Sequence, residues 1–197
     1  MATKLLVVVC LLLMSLECSG RRDKCLPGDN HKDAPSPEDS MLACQAYEEN
    51  SCCTSDFTRR LANPPIRKIG NFFWTQCNNT LSRKCEEFMV NVECFYRCSH
   101  NTVFWKNPYY PSAILKAPVC AGFCDGWFDA CKDDLTCAKN WITGFNMTAD
   151  GENICKQPCE TFREYYSDGK DLCEGMWGSS FVYRKTDCLQ LDRKSVV

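Results

Sequence analysis

The chain has 197 residues and a formal net charge of −2, with 23 lysine and arginine residues against 25 aspartate and glutamate residues. Because acids and bases are scattered, the sequence shows no basic patch typical of a nucleic-acid-binding protein. The length fits one domain, and 45% hydrophobic residues with 12% aromatics suffice for a core and an apolar pocket.

The first 20 residues, MATKLLVVVCLLLMSLECSG, are typical of a secretory signal peptide. Lys4 precedes a short apolar run, and the small residues Ser19 and Gly20 close the segment. A transmembrane helix is the alternative, but the run is too short to span a bilayer. The polar C-terminal sequence CLQLDRKSVV also lacks a lipid-anchor signal. We therefore expect residues 1–20 to be removed and residues 21–197 to form a single secreted domain with no membrane anchor.

Cysteine content indicates a protein held together by disulfides. The chain has 18 cysteines, of which Cys10 and Cys18 fall in the signal peptide, so 16 remain. A content of about 9% is typical of exported domains that disulfides stabilise. The count leaves the pairing open, although adjacent Cys52 and Cys53 should reach different partners because a disulfide has specific geometric demands. Paired C-x-x-C motifs are missing, so we expect no metal site.

In chain order, the first element after the signal peptide is a polar loop over about residues 21–40. Near its end, Ser36 and Pro37 predict the start of a helix, as N-cap and first helical residue. The segment SDFTRRLA (55–62) predicts a short helix, which the following Asn-Pro-Pro sequence ends.

A longer helix is predicted from about Ser82. Its apolar residues recur at helical spacing and form one stripe: Cys85, Phe88, Val92 and Phe95. The motif ECFYRCS (93–99) places Phe95 on the core side of this helix, whereas Tyr96 lies one step around it. Periodicity alone leaves open whether this aromatic pair only fills the core or also presents a ring to a ligand.

The sequence APVCAGFCDGWFDACKDD predicts the next helix. Its buried face consists of Cys120, Cys124, Trp127 and Cys131. Further along, residues 146–153 predict a loop, CKQPCETFREYY is weakly helical, and SSFVYRK (179–185) predicts a short strand. Together these elements predict an α+β fold that is mainly helical with short strands.

Neither catalysis nor a catalytic cofactor is indicated. His31 and His100 are the two histidines, and both fall in polar, loop-like segments. The chain lacks G-x-S-x-G, H-E-x-x-H and phosphate-binding glycine motifs. An enzyme with a site assembled from distant residues is a less favoured alternative, and we predict no catalytic residues.

Two sequons, Asn78-Asn79-Thr80 and Asn146-Met147-Thr148, predict glycosylation. In an exported protein such asparagines lie on the surface and accept N-linked glycans. We expect both Asn78 and Asn146 to be exposed.

Core packing is the default interpretation for each of the five tryptophans. Trp127 fits it because this residue shares a helix face with cysteines. Trp177 differs, because it follows Cys173 by four residues and precedes a Gly-Ser-Ser segment. Tyr96 and Trp177 both lie near a cysteine and outside an apolar helix stripe. The residues alone do not assign a ligand to them.

Several of these motifs together resemble the folate receptor family, in particular its riboflavin-binding members. They are GDNHKDAPSPEDSM, SCC, CFYRCS, PVCAGFCDGWFDACKDDLTCAKNW, GENICK and CEGMWGSSF. The resemblance runs from Cys25 to Cys188 with the same cysteine order. It implies a compact globule with eight disulfides around one open ligand pocket. The pairs that it implies are Cys25–Cys52, Cys44–Cys94, Cys53–Cys98, Cys77–Cys159, Cys85–Cys131, Cys120–Cys188, Cys124–Cys173 and Cys137–Cys155.

The resemblance also implies a ligand and the residues that bind it. In the riboflavin-binding members a tyrosine of the CFYRC motif and a tryptophan of the MWG motif enclose the flavin ring, which places these roles on Tyr96 and Trp177. Trp141 and Trp127 are implied as further aromatic wall. Isoalloxazine is flat, uncharged and electron-poor, so it stacks well between two electron-rich rings. The expected activity is binding of riboflavin, for storage or transport, by a secreted monomer.

Two alternatives stay open within the family. A folate binder would have an acidic residue at the position of Val92 and basic residues in the following loop, which here has no arginine; burying the polar ends of folate unpaired would be costly. Phe145 also stands where other members have a tryptophan. The second alternative is a member that has lost vitamin binding and serves in protein recognition or adhesion. The sequence does not specify affinity or an uptake receptor.

Overall fold

The computed structural model of the protein describes residues 24–29 and 31–192. The predicted signal peptide, residues 1–20, and its two cysteines lie outside the described residues. Within the described part of the chain, no helix is both long enough and apolar enough to cross a membrane.

The described residues form short helices and short strands, which confirms the α+β prediction. The α-helices are α1 (Ser55–Leu61), α2 (Arg83–Cys98), α3 (Ala121–Cys131), α4 (Phe162–Tyr165) and α5 (Gly169–Gly175). The 3₁₀ helices span Gln45–Asn50, His100–Trp105 and Gly178–Ser180. The predicted helices at 55–62 and from Ser82 are confirmed as α1 and α2.

Among residues 24–29 and 31–192, eight strands pair into four two-stranded sheets. The antiparallel pairs are β1 (Lys68–Ile69) with β2 (Phe72–Phe73), β4 (Leu135–Thr136) with β7 (Glu160–Thr161), and β5 (Phe145–Met147) with β6 (Asn153–Cys155). The parallel pair is β3 (Ala117–Cys120) with β8 (Phe181–Arg184). β8 confirms the strand predicted at 179–185, and it brings the end of the described chain beside α3.

Eight disulfides join the described segments. They are Cys25–Cys52, Cys44–Cys94, Cys53–Cys98, Cys77–Cys159, Cys85–Cys131, Cys120–Cys188, Cys124–Cys173 and Cys137–Cys155. These are the pairs that the family resemblance implies. Adjacent Cys52 and Cys53 do have different partners, and together they tie the N-terminal segment to the end of α2.

Helix α2 forms because its first turn is capped and one face is apolar. The hydroxyl of Ser82 accepts a hydrogen bond from the backbone N–H of Cys85 and satisfies one of the first-turn donors. Met89, Val92 and Phe95 are buried on the inner face. The disulfides of Cys94 and Cys98 then fix the last turn, which carries Tyr96.

Helix α3 is shorter than the sequence predicted. Cys124, Trp127 and Cys131 are buried on one face, as expected. The prediction that the helix starts at Ala117 is wrong, because residues 117–120 pair with β8 as a strand. Pro118 has no N–H for a helical hydrogen bond and is tolerated in this short strand.

Three other local predictions need correction. No helix starts at Ser36 and Pro37, because Ser36 exchanges two backbone hydrogen bonds with Ser51, at 3.1 and 2.9 Å. The predicted loop at 146–153 is a loop only over residues 148–152, because its ends belong to β5 and β6. In the weakly helical segment 155–166, only Phe162–Tyr165 is helical, because Glu160 and Thr161 pair with β4.

Candidate functional site

One cavity of about 220 Å³ lies beside the last turns of α2 and opens to solvent. It combines apolar side chains, three aromatic rings and one pair of opposite charges. The residues that line it are Val92, Glu93, Tyr96, Arg97, Ala113, Ile114, Ile142, Trp177, Ser180 and Phe181. Tyr96 and Trp177, predicted from distant motifs, are therefore brought together on the wall of the same cavity.

Tyr96 is a wall residue, and its neighbour Phe95 is a core residue. Phe95 is only 2% exposed, whereas Tyr96 is half-buried. The Tyr96 hydroxyl donates a hydrogen bond of 2.5 Å to the carbonyl oxygen of Ser112. The ring of His31 packs edge-on against the Tyr96 ring at 5.2 Å between centroids. The orientation of the Tyr96 ring is thus held from two sides.

The phenol of Tyr96 stays neutral at physiological pH. Burial raises the pKa of Tyr96, while the nearby Arg97 guanidinium acts in the opposite direction. His31 donates from Nε2 to the Tyr96 carbonyl oxygen at 3.2 Å. Burial lowers the pKa of His31, and Arg97 lowers it further, so this imidazole is kept neutral.

Trp177 is presented by a tight turn at the end of α5. The next residue, Gly178, has φ = 59°, a left-handed conformation that favours glycine. A Cβ on Gly178 would also lie 3.4 Å from Cδ1 of Ile142. Glycine at this position therefore allows the chain to turn immediately after Trp177.

A cluster of aromatic side chains packs against the Trp177 ring. Trp141 packs edge-on at 5.8 Å between centroids, and Phe72 packs at 6.2 Å. Trp141 is itself fixed, because its Nε1 donates to the Thr136 hydroxyl at 3.1 Å. Phe145 completes the cluster by contacting both Phe72 and Trp141. Such offset and edge-on contacts each contribute about 0.5–1.5 kcal/mol beyond burial.

Trp141 and Trp127, the other two implied ligand contacts, do not line this cavity. Trp141 lies behind Trp177 and belongs to its support. Trp127 is completely buried in α3 and packs against Phe123 at 6.2 Å. The structure thus brings Tyr96 and Trp177 to the cavity, keeps Trp141 one ring away, and leaves Trp127 in the core.

One loop, residues 106–116, connects the two aromatic walls. Its Ser112 carbonyl accepts the Tyr96 hydroxyl, and its Lys116 N–H donates to the Ser179 carbonyl oxygen at 2.8 Å. Ala113 and Ile114 of the same loop line the cavity. The two walls are therefore coupled through a single segment.

A buried ion pair in the cavity wall was missed by sequence reasoning. Arg97 donates from Nε to Glu93 at 2.9 Å, and the two side chains are only 19% and 10% exposed. The Arg97 guanidinium also lies 5.3 Å from the Tyr96 ring centroid and 5.5 Å from that of Phe57. The motif ECFYRC could have indicated this pair. Glu93 and Arg97 are four residues apart, so they share a helix face that does not include Phe95.

A second cavity lies against an earlier part of α2 and has a different character. Its lining residues are Leu61, Pro64, Arg83, Glu86, Glu87, Val90 and Asn91. None of them is aromatic, and Glu86 uses a carboxylate oxygen to accept the Ile66 N–H at 2.6 Å. This cavity offers no stacking surface, so the cavity beside Tyr96 is the stronger candidate for a planar ligand.

The two sequon asparagines, Asn78 and Asn146, are both exposed. Asn78 follows Cys77, and Asn146 lies in β5. Their glycosylation stays a prediction.

Comparison with known proteins gives the family. Residues 24–190 match the folate receptor family. The chain is 46% identical over 175 residues to the riboflavin-binding protein of Gallus gallus, covering 88% of this chain and 73% of that protein. It is 42% identical over 179 residues to the riboflavin-binding protein of Dromaius novaehollandiae, covering 90% and 75%. Human folate receptor gamma is 33% identical over 164 residues, covering 80% and 66%. This chain belongs to the folate receptor family.

Proposed function

We propose that this protein binds riboflavin by stacking the isoalloxazine ring between Tyr96 and Trp177. The observation that carries the proposal is the presence of both rings on the wall of one cavity. Two relatives at 42–46% identity are riboflavin-binding proteins, which supports the same ligand here. The rings are held in place before the ligand arrives, so little ordering cost opposes binding.

The composition of the cavity favours a neutral ligand over folate. Among the described residues that line it, Arg97 is the cation, and it is already paired with Glu93. Folate carries two carboxylates and a pterin that donates hydrogen bonds. The apolar side chain of Val92 offers no acceptor to the pterin, and buried polar groups without partners cost about 1–3 kcal/mol each. The ion pair also supplies donors and acceptors for the uncharged polar groups of a flavin.

The size of the cavity suits the ring system rather than the whole vitamin. A volume of about 220 Å³ with one open side accommodates a flat tricyclic ring between two aromatic faces. The flexible ribityl chain then extends toward the opening. In this arrangement the cavity shields the photosensitive ring and performs no reaction on it.

We infer that the protein is a secreted, monomeric carrier or store of the vitamin. Disulfides of this number form and persist in oxidising, extracellular compartments. The predicted signal peptide and the two exposed sequons fit the same export route.

The test is a fluorescence titration of riboflavin with the oxidised protein, with folate as competitor. Stoichiometric quenching of flavin emission that folate does not reverse is expected. Trp177→Ala should weaken binding by about 30-fold or more, since removal of a central aromatic contact commonly costs at least ~2 kcal/mol. Tyr109→Ala is the matched control, because Tyr109 is exposed and does not line the cavity.

Each outcome of this titration is informative. Equal affinity of the Trp177→Ala variant and the parent protein would overturn the stacking arrangement. Absence of quenching by the folded parent protein would overturn riboflavin as the ligand and favour a protein-recognition role.

A further inference from the structure

Two of the eight disulfides meet at one point of the molecule. The Sγ atoms of Cys77, Cys137, Cys155 and Cys159 all lie within 4.8 Å of one another, although the bonds join Cys77 to Cys159 and Cys137 to Cys155. Elsewhere in residues 24–29 and 31–192, no four cysteine sulfurs gather this closely. A thiolate formed from one bond would therefore face the other bond at short range.

The four cysteines differ in their access to solvent. Cys159 is exposed, Cys77 and Cys155 are half-buried, and Cys137 is completely buried. A small thiol in solution can approach the sulfur of Cys159. It cannot approach Cys137 directly, because thiol–disulfide exchange requires the attacking sulfur to reach its target.

We propose that these two disulfides form a thiol–disulfide exchange relay whose entry point, Cys159, is a site of S-thiolation by small thiols. A thiolate of the glutathione class attacks Sγ of Cys159 and forms a mixed disulfide, and Cys77 leaves with the electron pair as a thiolate. Cys77 then attacks Sγ of Cys155, which forms a Cys77–Cys155 bond and releases Cys137 as a thiolate.

The two steps balance without a further oxidant or reductant. Each step breaks one S–S bond and forms another, and the released thiolate of Cys137 takes a proton from water. The protein gains one glutathionyl group on Cys159 and one thiol on Cys137. A thiol that reacts at the exposed Cys159 thus releases the buried Cys137 as a thiol, without unfolding of the surrounding chain.

Peptide mapping of the native protein tests the relay. The oxidised protein is exposed briefly to limiting reduced glutathione at neutral pH, quenched with acid, alkylated and digested. The expected products are glutathionyl-Cys159, a new disulfide from Cys77 to Cys155, and alkylated Cys137. Alkylated Cys77 with the Cys137–Cys155 bond intact, or absence of reaction at Cys159, would overturn the proposal.

A single variant tests the second step without any added thiol. Cys159→Ser leaves Cys77 as a free thiol beside the Cys137–Cys155 bond, so a disulfide from Cys77 and a free Cys137 are expected in the secreted protein. Cys188→Ser is the matched control, because the sulfur of its partner Cys120 does not belong to the group of four described cysteine sulfurs within 4.8 Å of one another, so Cys120 should stay a free thiol. A free Cys77 in the folded Cys159→Ser variant would refute the relay. If that variant does not fold, the peptide map of the glutathione-treated native protein is the test of the proposal.

Discussion

Tyr96 and Phe95 show how two adjacent aromatic residues take separate roles on one helix. Successive residues of a helix point about 100° apart, so Phe95 enters the core while Tyr96 reaches the cavity. Disulfides at Cys94 and Cys98, on either side of the pair, hold this turn in place. The hydroxyl bond to Ser112 then holds the far end of the Tyr96 ring, and the edge-on contact with His31 restricts its plane. A rigid ring of this kind is what a stacking site needs.

We predict that Glu93 sets the charge preference of the cavity through its bond to Arg97. Glu93→Gln removes the negative partner and leaves a cation facing the ligand. We expect the affinity for riboflavin phosphate to rise about 3- to 10-fold relative to riboflavin, because charge-assisted hydrogen bonds to phosphate contribute about 1 kcal/mol or more. Titrations with both flavins at low salt measure this ratio.

The control for this variant is Glu87→Gln. Glu87 pairs with Arg83 on an exposed part of α2 and does not line the cavity beside Tyr96. Its removal should leave the ratio of the two affinities unchanged. A ratio that also stays constant in Glu93→Gln would show that the ion pair does not govern ligand charge.

His31 makes folding sensitive to mild acid. Its pKa is lowered in the folded protein by burial, so below about pH 6.5 the unfolded chain binds a proton that the folded chain resists. The contribution of His31 to stability is therefore complete above pH 6.5 and decreases as the pH falls toward the lowered folded pKa. His31→Gln should flatten this dependence.

The measurement is the free energy of unfolding in urea at pH 7.5 and 5.5, for the parent protein and His31→Gln. The difference between the two pH values should be smaller in the variant, with the same dependence on urea concentration. An equal loss of stability in both proteins would show that other groups account for the acid sensitivity.

At the scale of elements, the turn after α5 determines where Trp177 lies. Gly178→Ala puts a Cβ on a residue with φ = 59° and 3.4 Å from Ile142. We expect a loss of about 1–2 kcal/mol of stability, the usual cost of a left-handed conformation for a residue with a Cβ, and weaker riboflavin binding. Thermal unfolding and flavin titration measure the two effects.

Gly122→Ala is the matched control for that substitution. Gly122 is exposed near the start of α3, and an added Cβ would meet nothing within 4 Å. Alanine should be neutral there or stabilise the protein by up to about 1 kcal/mol. Equal effects at Gly122 and Gly178 would contradict the role given to the turn.

Elements with strong periodicity could be predicted from the sequence, and most of those formed by distant pairing could not; β8, predicted at 179–185, is an exception. The apolar stripe on α2 and the cysteine face of α3 follow local sequence patterns, and in the folded protein these faces lie toward the core. β3 exists because Ala117–Cys120 meets Phe181–Arg184 across a long stretch of chain, which no local pattern encodes. For the same reason Ser36 pairs with Ser51 instead of capping a helix.

The candidate site could be predicted in part, because motif resemblance identified Tyr96 and Trp177. Their supporting contacts depend on which segments fold against them. His31 and Ser112 are remote from Tyr96 along the chain and were found only from the three-dimensional arrangement. Trp127 illustrates the converse, since the resemblance implies a ligand contact there, whereas its place on the cysteine face of α3 predicts the buried position that the structure shows.

For the whole molecule, disulfides that span 18 to 82 residues hold together many short elements. None of the two-stranded sheets would be stable alone. Each disulfide of this kind contributes about 2–4 kcal/mol. Complete reduction should therefore unfold the protein at 25 °C and abolish flavin quenching, as measured by far-UV circular dichroism and titration. Retention of binding after verified reduction of all eight bonds would contradict this account.

The position of β8 has a consequence for biosynthesis. Trp177 and Phe181 come from the last part of the described chain, where β8 pairs with β3, and both residues line the cavity. A ribosome delivers α2, with Tyr96, long before it delivers this segment. A growing or prematurely terminated chain thus has Tyr96 without Trp177, and under the proposed stacking arrangement we expect it not to bind riboflavin. On the proposed mode of binding, we therefore expect riboflavin to be taken up only by completed molecules, after translation has ended.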